Sequence, residues 1–158
     1  MRRPLTSLAV AALALVAGVA LARAASAYNS TVAGSQTAAG PDDGVVLQLN
    51  ASGDLHGMLR LTLKHEGGQV TGGSWAFTVL PPAADASSSE KGRLSGSVGG
   101  GTLTTDDNGV VTGVASVQLS VQGGAGDYAN VSAGSGSVSL SADPERSTQL
   151  GGPLALNF

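Results

Sequence analysis

The chain of 158 residues contains no cysteine, and this absence excludes disulfide bonds as a source of stability. Aromatic residues make up 3% of the sequence and charged residues 12%, so both kinds of side chain are sparse. With two histidines and no thiolate ligands, the chain has too few metal ligands for us to expect a metal site or a cofactor. The fold must therefore be held by burial of aliphatic side chains and by backbone pairing.

Only one long apolar run is present, and it lies at the N-terminus over residues 5–21. Arg2 and Arg3 precede it, and the small residues Ala25-Ser26-Ala27 follow it. These three parts are typical of a secretory signal peptide. We predict a signal peptide over residues 1–27, cleaved before Tyr28, and a protein secreted to the periplasm or the medium. The run is short and rich in alanine for a membrane span, so no span is expected after cleavage. The export route, general or twin-arginine, stays open.

Positive charge is scarce in the remaining chain. Residues 28–158 carry five basic and eleven acidic side chains, a net charge of −6. Binding to a phosphate backbone depends on clustered lysine and arginine, so the composition excludes nucleic acid as a partner.

The 24 glycines disfavour helices, and the apolar residues instead alternate with polar ones at the period of β-strands. The clearest case is Leu59, Leu61 and Leu63, which are separated by Arg60, Thr62 and Lys64. Turn signals such as Asn108-Gly109 separate the apolar runs. We predict an all-β fold of about eight short antiparallel strands forming a small barrel, with a β-sandwich as the alternative. Residues 28–44 are predicted to be a flexible N-terminal segment and residues 45–158 a single domain.

The stretch VQGGAGDYANVSAGSGSV, residues 121–138, raises the question of a phosphate-binding loop. A dinucleotide fingerprint must open a helix, but alternating Val and Leu follow here, and a P-loop needs a lysine that the chain lacks after Lys91. We therefore predict structural glycines: a turn made by Gly123, Gly124 and Gly126, then a strand that starts at Tyr128 and bends where the chain has its next glycines, Gly134 and Gly136.

The same stretch resembles the β-barrels of dirigent proteins and allene oxide cyclases, and also similar bacterial exported proteins. The resemblance is carried by Val121, Tyr128 and the five glycines just named. It implies an eight-stranded antiparallel barrel, often trimeric, whose apolar interior holds a small hydrophobic ligand. Five residues, 129–133, separate the aromatic residue from the next glycine where those families usually have four, which indicates a bulge. No catalytic residue carries over, since the matched positions are structural.

Side chains able to do chemistry are few and scattered. No Ser or Cys nucleophile stands in a recognisable motif with a base, and the carboxylate pairs Asp42-Asp43 and Asp106-Asp107 lie in turn-like segments. We expect a non-catalytic binding or cell-envelope structural protein, with a dirigent-like or cyclase-like role as the alternative. An outer-membrane barrel, suggested by the alternating strand that ends in Phe158, lacks the aromatic girdles of that class. The residues we select as ligand-binding candidates are Asp54, His56, Arg60, Trp75 and Tyr128.

Overall fold

The computed structural model describes residues 25–39, 44–82 and 89–158. This part of the chain is all-β and forms one antiparallel sheet of nine strands. Within the same residues, no helix has the length and hydropathy that a membrane span requires. The strands are β1 (Ala27–Ala39), β2 (Val45–Gly53), β3 (Gly57–Glu66), β4 (Gln69–Val79), β5 (Gly92–Val98), β6 (Gly101–Thr105), β7 (Val111–Gly126), β8 (Gly134–Asp143) and β9 (Arg146–Asn157).

The sheet closes on itself. Its order is β3-β2-β1-β9-β8-β7-β5-β4-β6, and β3 also pairs with β4, which joins the two sides of the sheet. Closure between the first and last strands runs from Ala27 opposite Asn157 to Gly34 opposite Leu150. Nearly every strand pairs with its neighbour in sequence, the pattern of an up-and-down barrel. The prediction of a small antiparallel barrel of about eight strands is confirmed, and the sandwich alternative is wrong.

The ninth strand, β6, continues the line of β5. Val98 pairs with Gly73 of β4, and Gly101 pairs with Val70, so the register of β5 on β4 carries on into β6. Between them, the Gly99 N–H donates to the Gln118 carbonyl at 2.8 Å, and the Gln118 N–H donates to the Gly100 carbonyl at 3.0 Å. The two segments therefore occupy one strand position interrupted by glycines, and the barrel has eight positions around its wall.

Apolar side chains fill the inside of this wall. Alternate residues of every barrel strand point inward, and eight strands enclose an interior just wide enough for side chains to fill. The largest of the fully buried side chains are Phe77, Leu47, Leu49, Leu59, Leu61, Leu63, Leu94, Leu150 and Leu156. The interior is thus a packed core, as the alternation of leucines in the sequence implies.

Hydroxyl side chains dominate the outer face. One row crosses five neighbouring strands in register, with Thr62 opposite Ser74, Ser74 opposite Ser97, Ser97 opposite Ser120 and Ser120 opposite Ser135. Gln122 adds a side-chain hydrogen bond, since its Nε2 donates to Ser97 Oγ at 3.0 Å. Small polar residues on this face suit a wall whose outer side is in contact with water.

The prediction of a flexible segment over residues 28–44 was wrong for residues 28–39, which belong to β1. This strand pairs with β2 on one side and β9 on the other, so it closes the barrel. Its glycine, serine, alanine and threonine residues show no clear alternation of apolar and polar side chains, so the sequence did not indicate a strand. The strand is held by backbone pairing with two neighbours more than by burial of apolar side chains. Pro41 and the other residues of 40–43 lie outside the described residues, as do residues 1–24 of the predicted signal peptide.

Candidate functional site: an aromatic cleft at one end of the barrel

The first and last described residues of the chain lie next to each other at one end of the barrel. The start of β1 lies beside the end of β9, where Ala27 pairs with Asn157, and the Ser26 N–H donates to the Phe158 carbonyl at 2.9 Å. The loop between β7 and β8, residues 127–133, leaves the barrel at the same end, since Ser135 near the start of β8 pairs with Asn157 at the end of β9. Sequence positions about 130 residues apart therefore border one surface.

Three of the five aromatic side chains meet at this end. The rings of Tyr28 and Phe158 stack with centroids 4.6 Å apart and planes 15° apart. Tyr128 meets Phe158 edge to face, with centroids 6.0 Å apart and planes 80° apart. All three side chains are partly buried and pack against the apolar core. We call these residues the aromatic cluster. Offset-stacked and edge-to-face pairs are the preferred aromatic geometries and stabilise the cluster beyond simple burial.

The glycine-rich stretch places Tyr128 in this cluster, in a way that differs from the sequence prediction. Gly123 and Gly124 lie within β7, paired with Ser95 and Leu94, so the prediction that they form the turn was wrong. The turn starts after Gly126, whose φ is +64° and whose absent Cβ would lie 2.5 Å from the Lys91 carbonyl oxygen. Tyr128 sits in this turn rather than at the start of a strand.

A chain of backbone hydrogen bonds holds that turn. The Tyr128 N–H donates to the Ala125 carbonyl at 3.3 Å, and the Val131 N–H donates to the Tyr128 carbonyl at 2.9 Å. A third bond joins the turn to the neighbouring loop, with the Asp127 N–H donating to the Lys91 carbonyl at 2.9 Å. These bonds tie the backbone of Tyr128 to the end of β7 and to the segment before β5.

The remaining two glycines of the stretch, Gly134 and Gly136, lie where neighbouring atoms leave no room for a Cβ. Gly134 opens β8, and a Cβ there would lie 2.8 Å from the Cβ of Phe158. Gly136 faces inward beside Leu156, where a Cβ would lie 2.5 Å from a methyl group of that side chain. Gly136 leaves room for Leu156 near the end of β9, and Gly134 leaves room for Phe158, which follows the strand and carries the phenyl ring of the aromatic cluster.

A cleft of about 690 Å³ opens beside the aromatic cluster. Its walls combine aromatic rings with amide, hydroxyl and carboxylate groups, among which Asp127 is the one charged side chain. Within the described residues, the side chains of Asn130, Asn157 and both tyrosines make no hydrogen bond to the protein. They are therefore free to bind a ligand. The lining residues are Ala25, Ser26, Tyr28, Asp127, Tyr128, Asn130, Val131, Ser132, Ala133, Gly134, Ser135, Asn157 and Phe158.

The phenol of Tyr128 has a raised pKa. Partial burial raises its pKa above the ordinary value of 10.0, and the nearby Tyr28 and Asp127 raise it further, because all three effects disfavour a phenolate. The hydroxyl therefore stays neutral, and able both to donate and to accept a hydrogen bond, throughout the neutral pH range.

Titration of the Tyr128 phenol tests this environment. We expect the near-ultraviolet absorbance of phenolate to show a step above pH 10.0 that disappears in Tyr128→Phe. Asp127→Asn should move that step to lower pH, because it removes a negative charge. Since the folded-state pKa is raised, the contribution of the neutral phenol to folding stability is complete below pH 10.0 and is lost as the pH rises through the raised pKa. A step unchanged by Tyr128→Phe would contradict the assignment.

Only one of the five ligand-binding candidates, Tyr128, lines the cleft. Asp54 is a loop residue whose Oδ2 accepts a hydrogen bond from the Asn29 N–H at 2.8 Å, and His56 accepts one through its carbonyl from the Leu80 N–H at 2.9 Å. Arg60 lies exposed on the outer face of β3. Trp75 is a core residue, 2% exposed, whose Nε1 donates to the Ser120 carbonyl at 3.1 Å.

Sequence reasoning did not select Tyr28, Phe158, Asn130 or Asn157. The aromatic residues at positions 28 and 158 were the only feature of the sequence that could have indicated this site, and nothing in the sequence indicates that their rings are in contact. Comparison with protein-family models, with curated proteins and with solved structures gives no match for this chain. The fold and the site thus define its class: a closed eight-stranded up-and-down barrel with a filled interior and an aromatic cleft at one end.

Proposed function

We propose that the protein is an exported, non-catalytic binding protein that acts at the cell envelope through the cleft at the end of its barrel. The observation that carries this proposal is the contrast between the barrel interior and the cleft at its end. The interior is filled with apolar side chains, whereas the cleft combines partly exposed aromatic rings with amides that have no partner in the described part of the protein. Binding sites commonly combine aromatic surface with a few convergent polar groups.

Several features support a role outside the cytoplasm and in water. The signal-peptide pattern of residues 1–27 favours export. The outward hydroxyl row from Thr62 to Ser135 is the reverse of a membrane barrel, where apolar side chains face outward and polar ones inward. Within the described residues, each strand of the closed wall has neighbours on both sides, which leaves no long edge to pair with other chains.

A dirigent-like or cyclase-like role is the second candidate, and the eight-stranded antiparallel closure favours it. In such a role a small apolar molecule would need space inside the barrel, where Leu61, Leu63 and Phe77 are completely buried. The cleft is then the remaining place for a ligand. A trimer that retains an apolar molecule in native mass spectrometry would support this candidate over the first.

Sedimentation with cell envelopes tests the proposed function. The protein from Tyr28 to Phe158 is mixed with the insoluble envelope fraction of its own source, and the bound share is measured after centrifugation. We expect the unmodified protein to sediment and Tyr128→Ala to remain mostly in solution, because the substitution removes a ring from the cleft. Asn50→Ala, an exposed change on the outer face of β2, is the matched control and should sediment normally.

Two outcomes would contradict the proposal. One is that the unmodified protein stays in solution with every envelope preparation. The other is that Tyr128→Ala, shown to be folded by circular dichroism, sediments as well as the unmodified protein. If Tyr128→Ala does not fold, Asn130→Ala replaces it, since Asn130 is exposed in the turn and its side chain has no hydrogen bond within the described residues.

A further inference from the structure

We infer that the cleft binds a saccharide, with one uncharged or amino-substituted pyranose ring stacked on the aromatic cluster. The inference rests on the proposed function and specifies its ligand class. It draws on three properties of the cleft: an aromatic ring that has no parallel ring stacked on it, the surplus of unpaired amides and hydroxyls, and the sign of the local charge.

The first property is an aromatic ring available for stacking. Tyr28 and Phe158 already stack on each other, whereas Tyr128 stands at 80° to Phe158. Within the described part of the chain, no other aromatic ring lies parallel to Tyr128, whose ring contact is the edge-to-face pair with Phe158. A pyranose ring has a face of C–H bonds that fits flat against an aromatic ring, whose π-face carries partial negative charge. Tyr128, whose turn is held by backbone hydrogen bonds, is therefore the stacking residue.

The second property is the number of polar groups that need a partner. Asn130 and Asn157 each offer two donors and an acceptor, and Ser132 and Ser135 each offer a hydroxyl. A purely apolar ligand would cover these groups without satisfying them, which is unfavourable. A sugar ring has hydroxyls around its edge that both donate and accept, so it satisfies the amides while its flat face contacts the ring of Tyr128.

The third property is charge. Asp127 is the one charged side chain in the lining, and residues 28–158 carry a net charge of −6. This field disfavours phosphorylated or carboxylated ligands. Neutral hexoses, N-acetylated hexosamines and amino sugars remain compatible. Ala25 and Ser26 form part of the rim, so cleavage before Tyr28 would widen access to Phe158.

Titration with defined oligosaccharides tests the inference. The protein from Tyr28 to Phe158 is titrated with chitotetraose, cellotetraose and maltotetraose, and backbone amide shifts are followed by NMR. We expect at least one of them to bind with a Kd of about 1 mM or tighter and to shift the amides of Tyr128, Asn130 and Asn157. Tyr128→Ala should weaken binding by about tenfold or more, whereas Tyr128→Phe, which keeps the ring, should weaken it by less than about threefold. Asn50→Ala should bind like the unmodified protein.

Two results would overturn the saccharide assignment: no shift with any of the three tetrasaccharides, or equal binding by the unmodified protein and Tyr128→Ala. Asn130→Ala supplies a second test if the tyrosine variant does not fold, since it removes an amide from an exposed turn. Envelope sedimentation that depends on Tyr128, together with no saccharide binding, would overturn the ligand class and leave the proposed function standing. Loss of both would overturn both.

Discussion

Replacing Gly96 by alanine is expected to cost about 3 kcal/mol of folding free energy, near the upper limit for overpacking a core. Gly96 lies in the middle of β5, opposite Trp75 of β4. A Cβ at this position would overlap the backbone carbonyl oxygen of Ser120 and lie 2.8 Å from Trp75 Nε1. The added methyl group would therefore lie beside both partners of the hydrogen bond that joins Nε1 to Ser120.

Backbone atoms make this clash hard to relieve. Ser120 belongs to β7, which pairs with β5 on one side and β8 on the other, so moving its carbonyl disturbs two ladders. Domains of this size are stable by only about 5–15 kcal/mol, and the expected loss is a large part of that margin.

Urea unfolding followed by fluorescence measures the effect, because Trp75 is the only tryptophan and is buried in the fold. Gly123→Ala is the matched control. It lies in β7 near the same bulge, its φ is ordinary, and a Cβ there meets no atom within 4 Å. This variant should change stability by less than about 1 kcal/mol, or raise it slightly through reduced freedom of the unfolded chain. Equal losses in the two variants would contradict the packing argument.

Strands that bury a complete row of apolar side chains are predictable from the sequence. β3 is the clearest case, since Leu59, Leu61 and Leu63 are all completely buried and Arg60 and Lys64 are exposed, as their alternation indicates. The reason is physical: burial of leucines on one face stabilises one register, and a shift by one residue would expose them all.

β1 is a strand that the alternation of apolar and polar residues does not predict. Its inward positions include Ser30, Val32 and Gly34, so only one large apolar side chain identifies the strand. The strand forms because β2 and β9 each offer it an unpaired edge, and that requirement appears only when the barrel closes. Choosing a barrel over a sandwich therefore required information that local patterns do not contain.

The candidate site depends even more on closure. Tyr128 could be selected from the sequence as an isolated aromatic residue near glycines. Its partners Tyr28 and Phe158 are separated from each other by almost the whole described chain, and they meet only because the first strand pairs with the last. Asp54, His56 and Arg60 attracted attention as titratable side chains, but the cleft is built mainly from amides, hydroxyls and rings.

Replacing Ser30 by alanine is expected to cost about 2–6 kcal/mol, although the change removes a single oxygen atom. Ser30 is the buried polar residue of the described core, 8% exposed, and its hydroxyl makes two hydrogen bonds to one residue. Ser30 Oγ accepts from the Leu55 N–H at 3.0 Å and donates to the Leu55 carbonyl at 3.1 Å. Alanine would leave both buried backbone groups unpaired, at about 1–3 kcal/mol each.

Two measurements separate this explanation from a general loss of packing. Urea unfolding gives the free energy, and the matched control Ser74→Ala, an exposed serine of β4, should change it by less than about 0.5 kcal/mol. Amide hydrogen exchange at Leu55 should accelerate in Ser30→Ala more than exchange at Leu61, because the lost bonds hold the loop after β2 against the start of β1. Asp54 lies in the same loop and accepts a hydrogen bond from the Asn29 N–H of β1. We expect this bond to be weakened together with the contacts of Leu55. A uniform acceleration over the whole barrel would show instead that the hydroxyl matters for global packing and that its bonds to Leu55 are incidental.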